Sequence, residues 1–290
     1  MQGGWLRRPK NRLGGWAQPP YKRYINVQTP KIMPRTVLIT GAGGGIGRRL
    51  VYRFASLGDT VLALDLSEEK LDLMASECAG AGGKIVKVVA DMRNANPLAD
   101  ALNAAMPKGG IDVLVANAGA ASAATIRQTT VESWHRDVDV NLNGTMHTVQ
   151  AVLPGMVAKK SGNIVVIGSV NAIQALGHPA YSAAKAGLIS YVKSLAAELG
   201  RVGIRANIIL PGTVKTPVWQ ERARKNPAVF DQLLKWYPLG RIVEPDDIAE
   251  AAIFLASPAA KAITGVVLPV DCGLLAGNRL MAAELTLEEF

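Results

Sequence analysis

The sequence predicts a single doubly wound α/β domain, a parallel sheet with helices on both faces. Three observations predict it. Short apolar runs alternate along the chain with segments of helical period. The first apolar run leads into a glycine-rich turn and then a helix. Polar residues recur directly after the apolar runs, where strands of such a sheet present their carboxyl ends.

The elements follow in order. Val37-Leu38-Ile39 suits a strand buried on both faces. Gly41, Gly43, Gly44, Gly45 and Gly47 come next, and Ile46, Leu50, Val51 and Phe54 then repeat with helical spacing. A second strand, 60–64, ends at Asp65, and a helix opens near Ser67-Glu68. A strand over 84–90 ends at Asp91, and 96–106 reads as a helix. A strand over 111–116 precedes Asn117-Ala118-Gly119, and 131–153 reads as one long helical stretch. A strand over 163–167 precedes Gly168-Ser169, and a helix spans 181–199. A strand over 205–210 precedes Pro211-Gly212, followed by a helix at 245–255 and a final strand at 266–270. One sheet of this kind gathers Asp65, Asp91, Asn117, Ser169 and Pro211-Gly212 along one rim.

Composition sets the limits. The 290 residues are 49% hydrophobic and 19% charged, which suits one large globular domain. Residues 1–35 carry eight Lys or Arg and no acid; removing those eight from 32 basic and 23 acidic residues leaves 24 against 23. The basic character therefore belongs to an arm, and the body is not a nucleic-acid binder. The arm, 1–33, is rich in Gly and Pro, holds no hydrophobic period and reads as an irregular extension. It is Arg-rich like a mitochondrial presequence, but it lacks serine and its prolines break any amphipathic helix. Its interleaved Trp5, Trp16, Tyr21 and Tyr24 suit an anionic surface, with no fold behind them. Met33, three residues before the first strand, is a second candidate start. Cys78 and Cys272 sit in no motif, so a reducing, cytoplasmic location without disulfides is expected. No apolar run reaches the roughly 18 residues of a membrane span.

The glycine-rich turn has a chemical reading. A backbone without Cβ atoms approaches a pyrophosphate closely, and the helix N-terminus offers free N–H groups to the charge. Asp65 stands 18 residues after Gly47, near the spacing at which an acid holds the 2′-hydroxyl of an NAD ribose. A carboxylate there repels a 2′-phosphate, so NAD is favoured over NADP. Arg48 or Arg49 pointing back at the turn would reverse that preference.

Tyr181 and Lys185 lie at i and i+4, on one helix face. An ammonium beside a phenol lowers its pKa and makes it a proton acceptor. Ser182, Ala183 and Ala184 between them are too small to block a ligand.

The ordered set TGAGGGIG, NAG, Asn141, Ser169, YSAAK and Pro211-Gly212 resembles the short-chain dehydrogenase/reductase family over about 36–273. The resemblance implies a Rossmann-type catalytic domain over 34–273, a substrate lid over 213–241 and a tail over 274–290. It implies a catalytic set of Asn141, Ser169, Tyr181 and Lys185. Gly41, Gly45, Ile46 and Gly47 match the pyrophosphate turn, Asp65 the adenosine ribose position, and Asp91 with Met92 the adenine position. Asn117 and Gly119 match the turn beside the cofactor, and Pro211, Gly212, Val214 and Thr216 the segment closing over the nicotinamide. Tyr181 would be the acid/base, Lys185 would hold the nicotinamide ribose, Ser169 would bind the substrate oxygen, and Asn141 would support a relay to the lysine. No metal is implied. A glycine is common in the family where Cys272 stands here.

The implied activity is NAD-dependent exchange of a secondary alcohol and a ketone, by a homotetramer or homodimer. The first alternative is an NADPH-dependent 3-oxoacyl-carrier-protein reductase; Asp65 and the lack of a basic docking site near Arg127 count against it. The second is a cofactor-binding protein without activity, against which the complete catalytic set argues. The substrate is a small molecule, with Gln174, His178 and Trp219 as candidate contacts. The lid also holds Trp236, Tyr237, Arg222, Arg224 and Lys225, where aromatics suit an apolar substrate and the cations a carboxylate or phosphate.

Overall fold

The computed structural model describes residues 34–289; the arm expected over 1–33 lies outside them. The strands are β1 (Thr36–Thr40), β2 (Thr60–Asp65), β3 (Ile85–Val89), β4 (Val113–Ala116), β5 (Gly162–Ile167), β6 (Ile204–Pro211) and β7 (Val267–Val270). The helices are α1 (Gly45–Ser56), α2 (Glu68–Glu77), α3 (Ala95–Ala105), α4 (Val131–Val138), α5 (Gly144–Lys159), α6 (Pro179–Leu199), α7 (Pro217–Lys225), α8 (Val229–Leu234), α9 (Pro245–Ala256) and α10 (Arg279–Thr286).

Among the described residues the seven strands form one parallel sheet in the order β3-β2-β1-β4-β5-β6-β7. Leu38 on β1 pairs with Leu62 on β2 and Leu114 on β4. Alternation along each strand then divides the core into two layers. Val37, Ile39, Val61 and Val115 face Leu50 and Phe54 of α1, Leu71 of α2 and Ile248 of α9. Leu38, Leu62, Leu114 and Val166 face Leu98 of α3, Val149 of α5 and Leu188 of α6. Both faces are covered, which is why the strands read as continuous apolar runs.

The chain leaves β1 toward β2 and β3, then crosses back to β4 on the other side of β1. Strand order reverses there, and a crevice opens beyond the carboxyl ends of β1 and β4.

The helical stretch expected at 131–153 is not one helix. A π-helical turn, Asp139–Asn143, separates α4 from α5, and α5 runs on through Pro154 to Lys159. The turn brings the Asn141 side chain to full burial. It is supported by the hydroxyls of Thr145 and Thr148, which donate to the carbonyls of Asn141 and Gly144 at 2.9 and 2.8 Å. Val152 and Met156, both buried, hold α5 in the core across Pro154. The lid region folds as α7 and α8, and the tail contains α10 with Met281 and Leu285 exposed. Among the described residues no helix is long and apolar enough to cross a membrane.

Candidate active site

The glycine turn after β1 is fixed by its own backbone and by Asp65. Gly44 N–H donates to the Gly41 carbonyl (3.1 Å) and Ala42 N–H to the Leu64 carbonyl (3.0 Å). The Asp65 carboxylate accepts Gly43 N–H at 3.0 Å on one oxygen and Ser67 N–H at 3.1 Å on the other. The cap of the next helix is Ser67, whose hydroxyl accepts Lys70 N–H at 3.2 Å. Gly47 lies so close to this turn that a Cβ on it would sit 2.0 Å from the Gly41 carbonyl oxygen, so only glycine fits. The first turn of α1 carries no acid. A side-chain-free turn ending at free helix N–H groups fits a pyrophosphate. Arg49 does not turn back to it, whereas Arg48 does. The Arg48 guanidinium pairs with Glu77 at 2.8 Å and bonds the Gly43 carbonyl at 3.1 Å; Arg49 pairs with Asp246 at 2.8 Å.

The end of β4 is tied to that turn. The Thr40 hydroxyl accepts N–H bonds from Asn117 and Ala118, both 3.0 Å. Asn117 Nδ2 donates to the carbonyls of Thr40 (2.9 Å) and Gly41 (3.2 Å). Asn117 is thus a strut between two strand ends rather than a local turn residue.

One cleft opens beside these struts. Its wall includes Ile46, Asn117 and Gly119 on one side, Ser169, Tyr181 and Lys185 on another, and Pro211, Gly212, Val214, Thr216 and Trp219 on a third. All were expected from the sequence. Ile167 and Gly168 line it too and were not; the only signal was their place immediately before Ser169. Gly41, Gly45, Gly47, Asp65, Asp91, Met92, Asn141, Gln174 and His178 are not in its wall.

Lys185 is buried. Its Nζ donates to the Ile167 carbonyl at 2.8 Å and lies 5.6 Å from the centre of the Tyr181 ring. Burial lowers its pKa from 10.5 to about 8. The Tyr181 phenol does not follow the sequence expectation. Burial pushes its pKa up, and the hydrogen bond with Ser169 opposes that only in part. The lysine makes its one side-chain bond among the described residues to β5, and its charge is not among the causes that move the phenol. Of the small residues between them, Ala184 is buried and Ser182 Oγ donates to the Gly177 carbonyl at 2.8 Å.

Ser169 is held by a residue the sequence reading missed. Asn171 N–H donates to Ser169 Oγ at 3.1 Å, and Asn171 Nδ2 donates to the Gly177 carbonyl (3.0 Å) and Ser182 Oγ (3.2 Å). Asn171 therefore locks the serine loop onto the start of α6; its position two residues after Ser169 was the available signal.

Asn141 stands behind the cleft. Its Nδ2 donates to the carbonyls of Ala120 (2.6 Å) and Asp137 (2.8 Å), while its buried Oδ1 has no partner among the described residues. A Cβ on Gly119 would meet Asn141 Oδ1 at 2.7 Å and Lys185 Nζ at 3.2 Å. Both groups converge on that glycine.

The remaining expected residues lie elsewhere. His178 caps α6 with φ 53°; its Nδ1 is 3.1 Å from the Ala123 carbonyl, and its ring stands edge-on to Tyr181 at 6.4 Å. It pins the 123–124 loop. Gln174 is exposed. Asp91 pairs with Arg93 at 2.5 Å, which holds its carboxyl below the usual range, and the Met92 side chain is buried against Gly144. Cys272 is buried with φ 52°, a backbone region that favours glycine. Among the described residues no group of three or more His, Cys, Asp or Glu is placed to hold a metal.

Known proteins with the same architecture place the cleft in a family. A family model described as enoyl-(acyl carrier protein) reductase matches residues 41–275. An oxidoreductase of the short-chain dehydrogenase/reductase family from Burkholderia thailandensis superposes with a TM-score of 0.84 at 59% identity, over 89% of this chain and 99% of that one. An oxidoreductase of Schizosaccharomyces pombe is 44% identical over 253 residues, 87% of this chain and 95% of its own. The 3-oxoacyl-[acyl-carrier-protein] reductase FabG of Thermotoga maritima is 36% identical over 245 residues, 83% of this chain and 98% of its own. The chain belongs to the short-chain dehydrogenase/reductase family of NAD(P)-dependent oxidoreductases.

Proposed function

We propose that the protein is an NAD-dependent oxidoreductase that interconverts a small secondary alcohol and its ketone. The observation that carries this reading is the single cleft that joins Ser169, Tyr181 and Lys185 to Asn117 and Gly119 beside the glycine turn. A nicotinamide held in the cleft would supply the redox chemistry, as hydride acceptor for oxidation of the alcohol and hydride donor for reduction of the ketone. Tyr181 takes the hydroxyl proton in oxidation and gives it back in reduction. Ser169, whose hydroxyl oxygen accepts Asn171 N–H, turns its one proton to the developing alkoxide. Lys185, buried and held by the Ile167 carbonyl, would orient the ribose, and its charge favours the phenolate that accepts the substrate proton in oxidation. Asn141 Oδ1 and the lysine Nζ both stand against Gly119, where a side chain would displace them.

The preference for NAD rests on Asp65, on Arg49, which pairs with Asp246 away from the turn, and on the neutralisation by Glu77 of Arg48, which itself bonds the Gly43 carbonyl of the turn. A second reading, an NADPH-dependent 3-oxoacyl-carrier-protein reductase, is favoured by the likeness to the Thermotoga maritima enzyme and by Lys70, whose Cβ lies 2.5 Å from where a Cβ on Gly43 would stand. Either reading takes the enzyme to act as a homodimer or homotetramer, on the strength of its family membership.

Titration with NADH and NADPH, followed by nicotinamide fluorescence, separates the readings. Tighter NADH binding, then turnover of secondary alcohols with NAD, is the expected result. Tighter NADPH binding brings the reductase reading forward. Binding of neither cofactor overturns both.

A further inference from the structure

Trp219 is the one aromatic ring in the cleft wall contributed by α7. It is held from both sides. The Phe230 ring of α8 lies 6.4 Å away, tilted by 38°. On the other side the Arg222 guanidinium stands 4.6 Å from the centre of the Trp219 ring. Residues 219 and 222 are one helical turn apart on the same face of α7, so the stack is built into the helix.

The charges around Arg222 are unbalanced. Its neighbour Arg224 is paired with Glu221 at 2.9 Å. Arg48, Arg49, Arg53, Arg93 and Arg241 each have a carboxylate partner, as does Lys215 at the base of the lid. Arg222 has none among the described residues. With its guanidinium over a wall residue of the cleft and no carboxylate partner among the described residues, Arg222 has N–H groups left to bind a carboxylate in a bidentate fork.

Resting on the oxidoreductase reading above, we propose that Arg222 selects the substrate: the alcohol carries a carboxylate, set apart from the reacting carbon by a short apolar chain that lies along Trp219. The product of oxidation is then a keto acid. The charged end stays at the mouth of the cleft, where it remains partly hydrated, while the carbinol reaches Ser169 and Tyr181.

The test compares 4-oxopentanoate and 5-oxohexanoate with their methyl esters as NADH-dependent substrates of the full-length protein. The acid is expected to exceed its ester about five- to tenfold in kcat/KM at low salt, through KM, with the preference shrinking as salt is added. In Arg222→Ala the acid-to-ester ratio falls to about one, and Arg222→Lys keeps part of it, because a lysine preserves the charge but not the fork. Equal kcat/KM for acid and ester in the wild-type protein overturns the proposal while leaving the oxidoreductase reading intact. A ratio that survives Arg222→Ala also overturns it. If NADH binds but no ketone turns over, equilibrium binding of 5-oxohexanoate to the NADH complex decides: loss of binding in Arg222→Ala supports the proposal, and binding that is absent or independent of Arg222 overturns it.

Discussion

Replacing Lys185 with methionine isolates the electrostatic cost of the site. The lysine is buried, and its pKa falls from 10.5 to about 8. Folding therefore disfavours the ammonium, and between those two values the unfolded chain holds a proton that the folded chain has released. Unfolding free energy then rises with pH across the window from about 8 to 10.5, and below about 8 the penalty is present in full. At about 1.4 kcal/mol per pH unit the penalty is about 3 kcal/mol. Lys185→Met removes it but leaves the Ile167 carbonyl without its donor, which costs about 1 kcal/mol. The variant is expected to be about 2 kcal/mol more stable than the wild-type protein at pH 7 and about 1 kcal/mol less stable at pH 10.5. Urea unfolding of both proteins at several pH values between 7 and 10.5 measures the difference, and taking the difference cancels the other groups that titrate there. A gap between the two proteins that does not change with pH would mean that the lysine is solvated in the folded state and that its burial does not set its charge.

Other substitutions probe the supports of the site. Gly47→Ala puts a methyl 2.0 Å from the Gly41 carbonyl oxygen, so NADH affinity is expected to fall about a hundredfold or more, with circular dichroism reporting whether the fold survives. Asp137 is buried and accepts Ser122 N–H at 3.0 Å and Ser122 Oγ–H at 2.5 Å; Asp137→Ala is expected to cost about 1–3 kcal/mol of stability by urea unfolding. Arg35 pairs with the fully buried Asp59 at 2.6 Å, and Arg35→Met, which strands that carboxylate, is expected to cost about 3–5 kcal/mol, far more than loss of an exposed pair such as Arg224–Glu221.

The sequence made the sheet legible because its strands are buried on both faces and so appear as uninterrupted apolar runs. The strand-end residues were legible for the same reason: Asn117 and Ser169 interrupt the runs where the chain leaves the sheet. Three features were hidden. The π turn at Asp139–Asn143 has the same helical period on either side, and what accompanies it is the bonding of the Thr145 and Thr148 hydroxyls to carbonyls four residues back and the long-range packing of Met92 on Gly144. The ionisation of Tyr181 and Lys185 depends on burial and on the lysine's bond to β5, neither of which an i, i+4 spacing contains. The direction of Arg48 and Arg49 depends on Glu77 and Asp246, the latter 197 residues distant from Arg49 in the chain.

Tyr181→Phe separates binding from proton transfer. The ring, its burial and its contact with Lys185 are kept, and only the hydroxyl is removed. Single-turnover reduction of a ketone by bound NADH is expected to slow by a factor of about 10²–10⁴ while NADH affinity stays within about twofold of the wild-type value. A variant that turns over within a few-fold of the wild-type rate would contradict Tyr181 as the acid/base, and with it the chemistry assigned to the cleft.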